Sequence, residues 1–411
     1  MSQNQKKGHA YRSRGESMRR SVRLILGAAL LAWLWPAAPA AAASGPGGLA
    51  ATGYELIDFQ TGQVLLAHNP DLRLAPASTT KIMTALLTVR QGQLGRTVRV
   101  SKEAYGIEGS SAYLVPGQRL TVRQLLYGLL LVSGNDAAVE LAIAESGSVP
   151  TFVREMNREA KALGSTHTTF LNPDGLYLPG HRTTAHDLAL ITRAALAYPS
   201  FRAVDAAKTF AFPGVPKPYT LVNQNLLLWN YPGAIGVKIG YTIQANHSIV
   251  AAATRDGVTL IAVAMHTDLQ SLWTDPEALL TWGFRNFRQE TVVRTGQVFG
   301  RAPTGSARAV TEAGFDWLVG PGQSLPPVTA HYAWPQGYRA GEPVGQVIVG
   351  PENAPLAVLP LLASAPSPLK AAAGPMTSWA AGALLLASLV GGWRLRRRLR
   401  RRRVRYRFVR R

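Results

Sequence analysis

No cysteine occurs anywhere in the 411 residues. Disulfide staples, thiolate metal sites and cysteine nucleophiles are therefore excluded. Acidic residues are scarce too: 23 stand against 44 Lys and Arg, for a formal net charge of +21. In a nucleic-acid-binding protein that excess would run across the folded body. Here it sits at the ends. Residues 394–411 hold twelve Arg and no acid, and residues 1–23 contribute +6, which leaves +3 for residues 24–393. The near-neutral body argues against a nucleic-acid partner. No H-E-x-x-H or similar ligand spacing relates His167, His181, His186, His247 and His266, which read as surface or structural residues. No glycine-rich phosphate loop and no internal repeat is visible, so neither a metal nor a cofactor is expected. What remains is 47% hydrophobic, the composition of a globular chain.

Each basic end adjoins an apolar stretch. Arg19, Arg20 and Arg23 precede Leu24–Trp35, twelve residues without charge, and small residues follow to Ser44. A basic region, a short apolar run and an Ala-x-Ala exit read as a secretory signal peptide, with cleavage expected near Ala42 or Ala43, the plainer alternative being an uncleaved N-terminal anchor. Met18 is a candidate start. At the other end Ala371–Trp393 carries no charge. At about 1.5 Å per residue it reaches roughly 34 Å, enough to span a bilayer core. The Arg-rich tail would then stay cytoplasmic.

Between these ends the periodicity changes along the chain. Gly53–Leu66 reads as a hairpin turning at Phe59–Gln63. Helices are expected over about 78–91, from Thr121 with Gln124 completing a capping box, over 136–145, 152–163, 185–197 and 279–287. Ala234–Thr242, Ser248–Thr254 and Val258–Met265 read as strands, the last two joined by the turn Arg255-Asp256-Gly257. Strands at both ends of a helical middle predict one sheet assembled from distant segments and covered by helices. After about Glu290 short Val/Thr/Ala runs separated by Gly and Pro (292–298, 307–310, 328–333, 343–349) predict a small all-β domain.

Three short motifs could carry chemistry. Ser78-Thr79-Thr80-Lys81 places Ser78 and Lys81 on one face of a helix start. A serine hydroxyl needs a base to become a nucleophile, and a lysine serves once burial disfavours its charge. The plainer reading is a capping serine and a solvated lysine. Ser133-Gly134-Asn135 lies in the break between two helices. Its hydroxyl could shuttle a proton, and its amide could position Lys81 and a substrate carbonyl. It would equally serve as ordinary helix capping. Lys238-Ile239-Gly240 sits on a strand, where a lysine can hold a carboxylate and a glycine admits an extended substrate. One polar residue on an edge strand is the bland alternative.

Taken together, S-x-x-K, S-x-N and K-x-G in this order resemble the penicillin-recognising serine enzymes. The similarity extends through Ala75–Ala85, Leu129–Ala138, Phe152-Val153, Met156-Asn157, Leu163-Gly164, Asn172–Leu176 and Thr184–Ala189. On these residues the chain resembles the low-molecular-mass D-alanyl-D-alanine carboxypeptidases, peptidase family S11, from about Ala51 to Phe287. The resemblance implies an α/β fold of the β-lactamase/transpeptidase type, an antiparallel sheet covered by helices with a helical lobe. A small all-β domain and a C-terminal transmembrane helix would follow. The implied division is a leader over 1–43, a D,D-peptidase domain over 44–288, a β-sandwich-like domain over 289–362, a linker over 363–375, an anchor over 376–393 and a cytoplasmic tail over 394–411.

The implied reaction is acyl transfer from peptidoglycan stem pentapeptides. Ser78 is the nucleophile, Lys81 its base, and Ser133 and Asn135 complete the catalytic set. Lys238, Gly240, Tyr241 and Thr242 bind substrate, with the backbone N–H groups of Ser78 and Tyr241 as oxyanion hole. β-Lactams would acylate Ser78, and the cytoplasmic membrane would be the anchoring partner. Two rivals stand beside this reading: a β-lactamase-like hydrolase, and a catalytically weakened wall-binding protein. The second arises because Ile239 stands where the family has Thr or Ser, whose hydroxyl helps hold the terminal carboxylate. The family's Arg after the strand hairpin also has no counterpart between Arg255 and Arg285. Lys238 and Thr242 would then have to bind the carboxylate.

Overall fold

The computed structural model describes residues 45–368. The leader read at 1–43 and the anchor and tail read beyond residue 375 lie outside the described residues. Among the described residues no helix is long and apolar enough to cross a membrane. Among the described residues two compact units emerge, 45–290 with 317–325, and 291–316 with 326–368. Composition places the division at about Glu290 and does not reveal that residues 317–325 return to the first unit. They do so through Gln63, whose side-chain amide donates to Leu318 O and accepts from Leu318 N.

In chain order the first unit contains β1 (Gly53–Asp58), β2 (Val64–His68), α1 (Lys81–Gln91), β3 (Thr97–Arg99), β4 (Arg119–Thr121), α2 (Val122–Leu131), α3 (Asn135–Ser146), α4 (Val149–Ala162), α5 (Ala185–Leu196), α6 (Pro199–Asp205), β5 (Thr209–Phe212), β6 (Tyr219–Val222), α7 (Leu227–Asn230), β7 (Ala234–Thr242), β8 (Asn246–Arg255), β9 (Val258–Thr267) and α8 (Ser271–Asn286). The main sheet has the order β2-β1-β9-β8-β7 and is antiparallel throughout. Alternation along β8 and β9 sends Val250, Ala252, Ile261 and Val263 to one face and Ile249, Ala251, Leu260 and Ala262 to the other. The first set packs with the helical lobe, and the second packs with Leu272, Leu279 and Leu280 of α8. Burial on both faces explains why these strands read as continuous apolar runs. The helix α8 starts eight residues before the stretch read from sequence, because Pro276 inside it masks the periodicity.

Local signals set the lobe. Thr121 and Gln124 form the expected reciprocal capping box at the start of α2. Leu125, Leu126, Leu129 and Leu130 behind it are all buried, each stabilising by about 1.5–3 kcal/mol. The chain breaks at Val132–Gly134 and restarts as α3, with Gly134 rather than Asn135 in the capping position. Ser148 and Thr184 cap α4 and α5, each accepting from the backbone N–H three residues on.

The strands of the second unit are all β, as expected: β11 (Val298–Arg301), β12 (Arg308–Thr311), β14 (Val328–Tyr332), β15 (Pro343–Val349) and β16 (Ala357–Ala363), while β10 (Arg288–Val293) and β13 (Phe315–Val319) straddle the division. A five-stranded sheet in the order β11-β12-β16-β15-β14 closes over Val347, Val349, Leu361 and Ala363. Residues 292–298 do not form the single strand expected. Arg294–Gln297 fold into a turn, in which Gln297 N donates to Arg294 O and Arg294 N to Gln297 Oε1.

Candidate active site

The segment carrying Ser78 is a short 3-10 turn, Ala77–Thr80, running directly into α1. It is pinned from behind by the loop 172–176. Gly175 has φ +90°, and a methyl added there would lie 1.9 Å from Ala77 O, so no side chain fits between loop and turn. Ala77 takes φ +47° and Ser133 φ +60°, a left-handed conformation that costs a non-glycine residue on the order of 1–3 kcal/mol. Ser133 opens the second motif picked out from the sequence, and Ala77 immediately precedes the first.

Lys81 is fully buried at the first position of α1. Its Nζ lies 2.9 Å from Ser78 Oγ, 2.7 Å from Asn135 Oδ1 and 2.5 Å from Asp174 O. Burial, and after it the charge of Lys238, bring its pKa down to about 7. The three contacts dictate what the neutral amine does. Asn135 Oδ1 and Asp174 O can only accept, so they take its two hydrogens. Its lone pair is left facing the Ser78 hydroxyl, the orientation a general base requires. Asn135 is itself oriented, because its Nδ2 donates to Glu108 O at 2.6 Å. Ser133 Oγ is buried and has no hydrogen-bond partner among the described residues. It is therefore free to engage a substrate.

The opposite wall is β7, the edge strand of the sheet. A methyl at Gly240 would stand 2.8 Å from Ser78 N and 3.1 Å from Thr79 N, so this glycine lies directly over the nucleophile turn. Lys238 is buried on the lobe side of the strand, and its Nζ donates to Ile239 O at 3.1 Å. Burial lowers its pKa to about 8, opposed by the charge of Asp205. Tyr241 has an exposed ring stacked on His247 at 4.5 Å. Thr242 Oγ1 accepts from Ala245 N at 3.1 Å and keeps its own hydrogen to donate.

Ser78, Lys81 and Asn135 thus form one hydrogen-bonded chain, and Gly240 and Lys238 close on it from the sheet. Sequence reasoning missed two partners. Asp174 contributes through its backbone carbonyl. Asp136 accepts from Ser111 Oγ, Ala112 N and Leu114 N and so fixes the 108–114 loop beside Asn135. Ile239 is partly buried and packs against the cluster on the α8 side of the sheet, pairing with Ile249, while Lys238 pairs with Val250 on the lobe side. Of the histidines, His181 contacts Thr80 Oγ1, His186 pairs with Glu55, and His266 contacts Ala245 O. No metal-binding cluster occurs among the described residues.

Comparison with known proteins follows the same outline. The profile of the D-alanyl-D-alanine carboxypeptidase family matches residues 39–268. The chain belongs to that serine peptidase family, S11. Among its relatives, D-alanyl-D-alanine carboxypeptidase DacF of Bacillus subtilis is 41% identical over 214 residues, covering 51% of this chain and 55% of the relative. DacB2 of Mycobacterium tuberculosis is 40% identical over 252 residues, covering 60% of this chain and 86% of the relative. The chain thus spans little more than half the length of the first and most of the second. Penicillin binding protein 5 of Haemophilus influenzae superposes with a TM-score of 0.66 at 29% identity, covering 79% of this chain and 99% of that one. S11 membership accounts for the order of the three motifs, and the hydrogen bonds at Lys81 give them their geometry.

Proposed function

We propose that this protein removes the terminal D-alanine from peptidoglycan stem pentapeptides through an acyl-enzyme on Ser78, and that β-lactams acylate the same residue. The observation that carries this reading is the triple anchoring of a buried, proton-poor Lys81 beside Ser78. In the first half-reaction Ser78 Oγ attacks the carbonyl carbon between the two D-alanines while its proton passes to Lys81. The developing oxyanion lies between the N–H of Ser78 and that of Tyr241, beyond Gly240. On collapse the C–N bond breaks, and the leaving amine takes a proton through Ser133. Water then attacks the ester, and Ser78 recovers its proton. Lys238 and Thr242 hold the substrate carboxylate.

The leader and the apolar segment before the Arg-rich tail support placing the enzyme at the cell membrane, with the catalytic unit outside and the tail inside. Peptidoglycan is then its substrate and the membrane its anchor. Intact-mass measurement of the purified full-length protein after incubation with benzylpenicillin tests the reading. One acyl adduct per chain is expected, absent in Ser78→Ala, together with release of D-alanine from diacetyl-Lys-D-Ala-D-Ala. An adduct that persists in Ser78→Ala would sink the assignment.

A further inference from the structure

The 108–114 loop is bolted to the second motif along its length. Asn135 N donates to Ser110 O at 2.7 Å, and Asn135 Nδ2 to Glu108 O at 2.6 Å. Asp136 holds Ser111, Ala112 and Leu114, and Tyr219 Oη donates to Ala112 O. Gly109, at φ +88°, lies so close that a methyl there would stand 2.9 Å from Asn135 Nδ2. The loop backbone is therefore fixed, but one charged side chain on it is unused. Glu108 is exposed, and its carboxylate makes no ion pair or hydrogen bond among the described residues. That carboxylate hangs close to the chemistry. Three contacts, of 2.6, 2.7 and 2.9 Å, lead from Glu108 O through the Asn135 side chain and Lys81 Nζ to Ser78 Oγ. Asn135 Nδ2 gives one hydrogen to Glu108 O and has a second to give to a substrate carbonyl. The acyl arm of a bound substrate then passes beside Glu108.

We propose that Glu108 is a specificity-determining residue, whose carboxylate receives the primary ammonium of the diamino acid that precedes the two D-alanines of a stem peptide. Consecutive Cα atoms stand about 3.8 Å apart, so this diamino acid lies one step from the D-alanine that acylates Ser78. Its long side chain brings the ammonium to the rim of the cleft. An exposed carboxylate–ammonium pair is a small interaction in water, and salt screens it. Here the fixed loop holds one partner's backbone in place, which lowers the cost of ordering the pair. An amine already acylated in a cross-link is neutral and forms no such pair. Glu108 therefore selects stems whose amine is still free.

The inference rests on the carboxypeptidase reading for its substrate. Two peptides test it on the full-length protein: Nα-acetyl-Lys-D-Ala-D-Ala, with a free ε-amine, and the diacetyl form without one. At low salt the wild type is expected to prefer the first by about threefold to tenfold in kcat/KM. The preference should shrink towards one in about 1 M salt, where the Debye length is about 3 Å. Glu108→Gln should abolish it and Glu108→Lys should invert it. A general loss of activity moves both peptides together and leaves the ratio unchanged. The same ratio in wild type and Glu108→Gln would overturn the role of Glu108. If the wild type hydrolyses neither peptide, the carboxypeptidase reading falls, and two penicillins still decide on Glu108. Ampicillin carries an ammonium on its acyl arm that benzylpenicillin lacks. The ratio of their acylation rates should drop about threefold or more in Glu108→Gln, and an unchanged ratio overturns the proposal.

Discussion

Replacing Gly240 by alanine tests the cleft at its narrowest point. The added methyl would stand 2.8 Å from Ser78 N, 3.1 Å from Thr79 N and 3.1 Å from Ala77 Cβ. A substrate oxyanion held by the Ser78 N–H needs to lie about 2.7–3.1 Å from that nitrogen, so methyl and oxyanion compete for one position. The neighbours are two backbone nitrogens and one Cβ of a turn locked by the 172–176 loop, and they cannot swing aside as the end of a flexible side chain would. Losing one oxyanion donor costs about 10²–10³ in rate, or about 2.7–4 kcal/mol of transition-state stabilisation. Overpacking alone costs on the order of 1–3 kcal/mol of stability. The two effects separate by assay. The second-order rate of acylation by a fluorescent penicillin should fall at least a hundredfold, while the thermal midpoint falls by only a few degrees. Acylation of Gly240→Ala within threefold of wild type would show that β7 is not the wall of the oxyanion site.

The pH profile of kcat/KM for a D-Ala-D-Ala peptide should be bell-shaped, rising through about pH 7 as Lys81 loses its proton and falling through about pH 8 as Lys238 loses its own; a profile flat from pH 6 to 10 would exclude both assignments. Ile239→Thr should cost about 1 kcal/mol of stability from lost apolar contact on the α8 side and leave kcat/KM within about threefold. A tenfold gain confined to substrates with a free carboxylate would instead make Ile239 a missing carboxylate contact. Protease added to intact protoplasts should remove the catalytic unit and spare the Arg-rich tail, and protection of the whole chain would refute the proposed topology.

Much of this protein was legible in its sequence, for local reasons. Helix caps such as Thr121 with Gln124 act within four residues, and the turn Arg255-Asp256-Gly257 marks the β8–β9 hairpin. Residues three apart on a helix start, such as Ser78 and Lys81, are neighbours by helix geometry alone, and their 2.9 Å contact was predictable from spacing. Tertiary structure decided whatever depends on which distant segments meet. The carbonyl that takes a hydrogen from Lys81 belongs to Asp174, 93 positions away, and every residue has a carbonyl, so sequence cannot single this one out. The side of the sheet that Ile239 faces is read only once α8 is seen to cover it. Asp205 looks like an ordinary helix residue until Gly236 is placed against it. The strongly lowered pKa of Lys81 likewise comes from burial by chain far from its own helix. Electrostatics in a protein interior is a sum over neighbours in space, and the folded chain alone defines those neighbours.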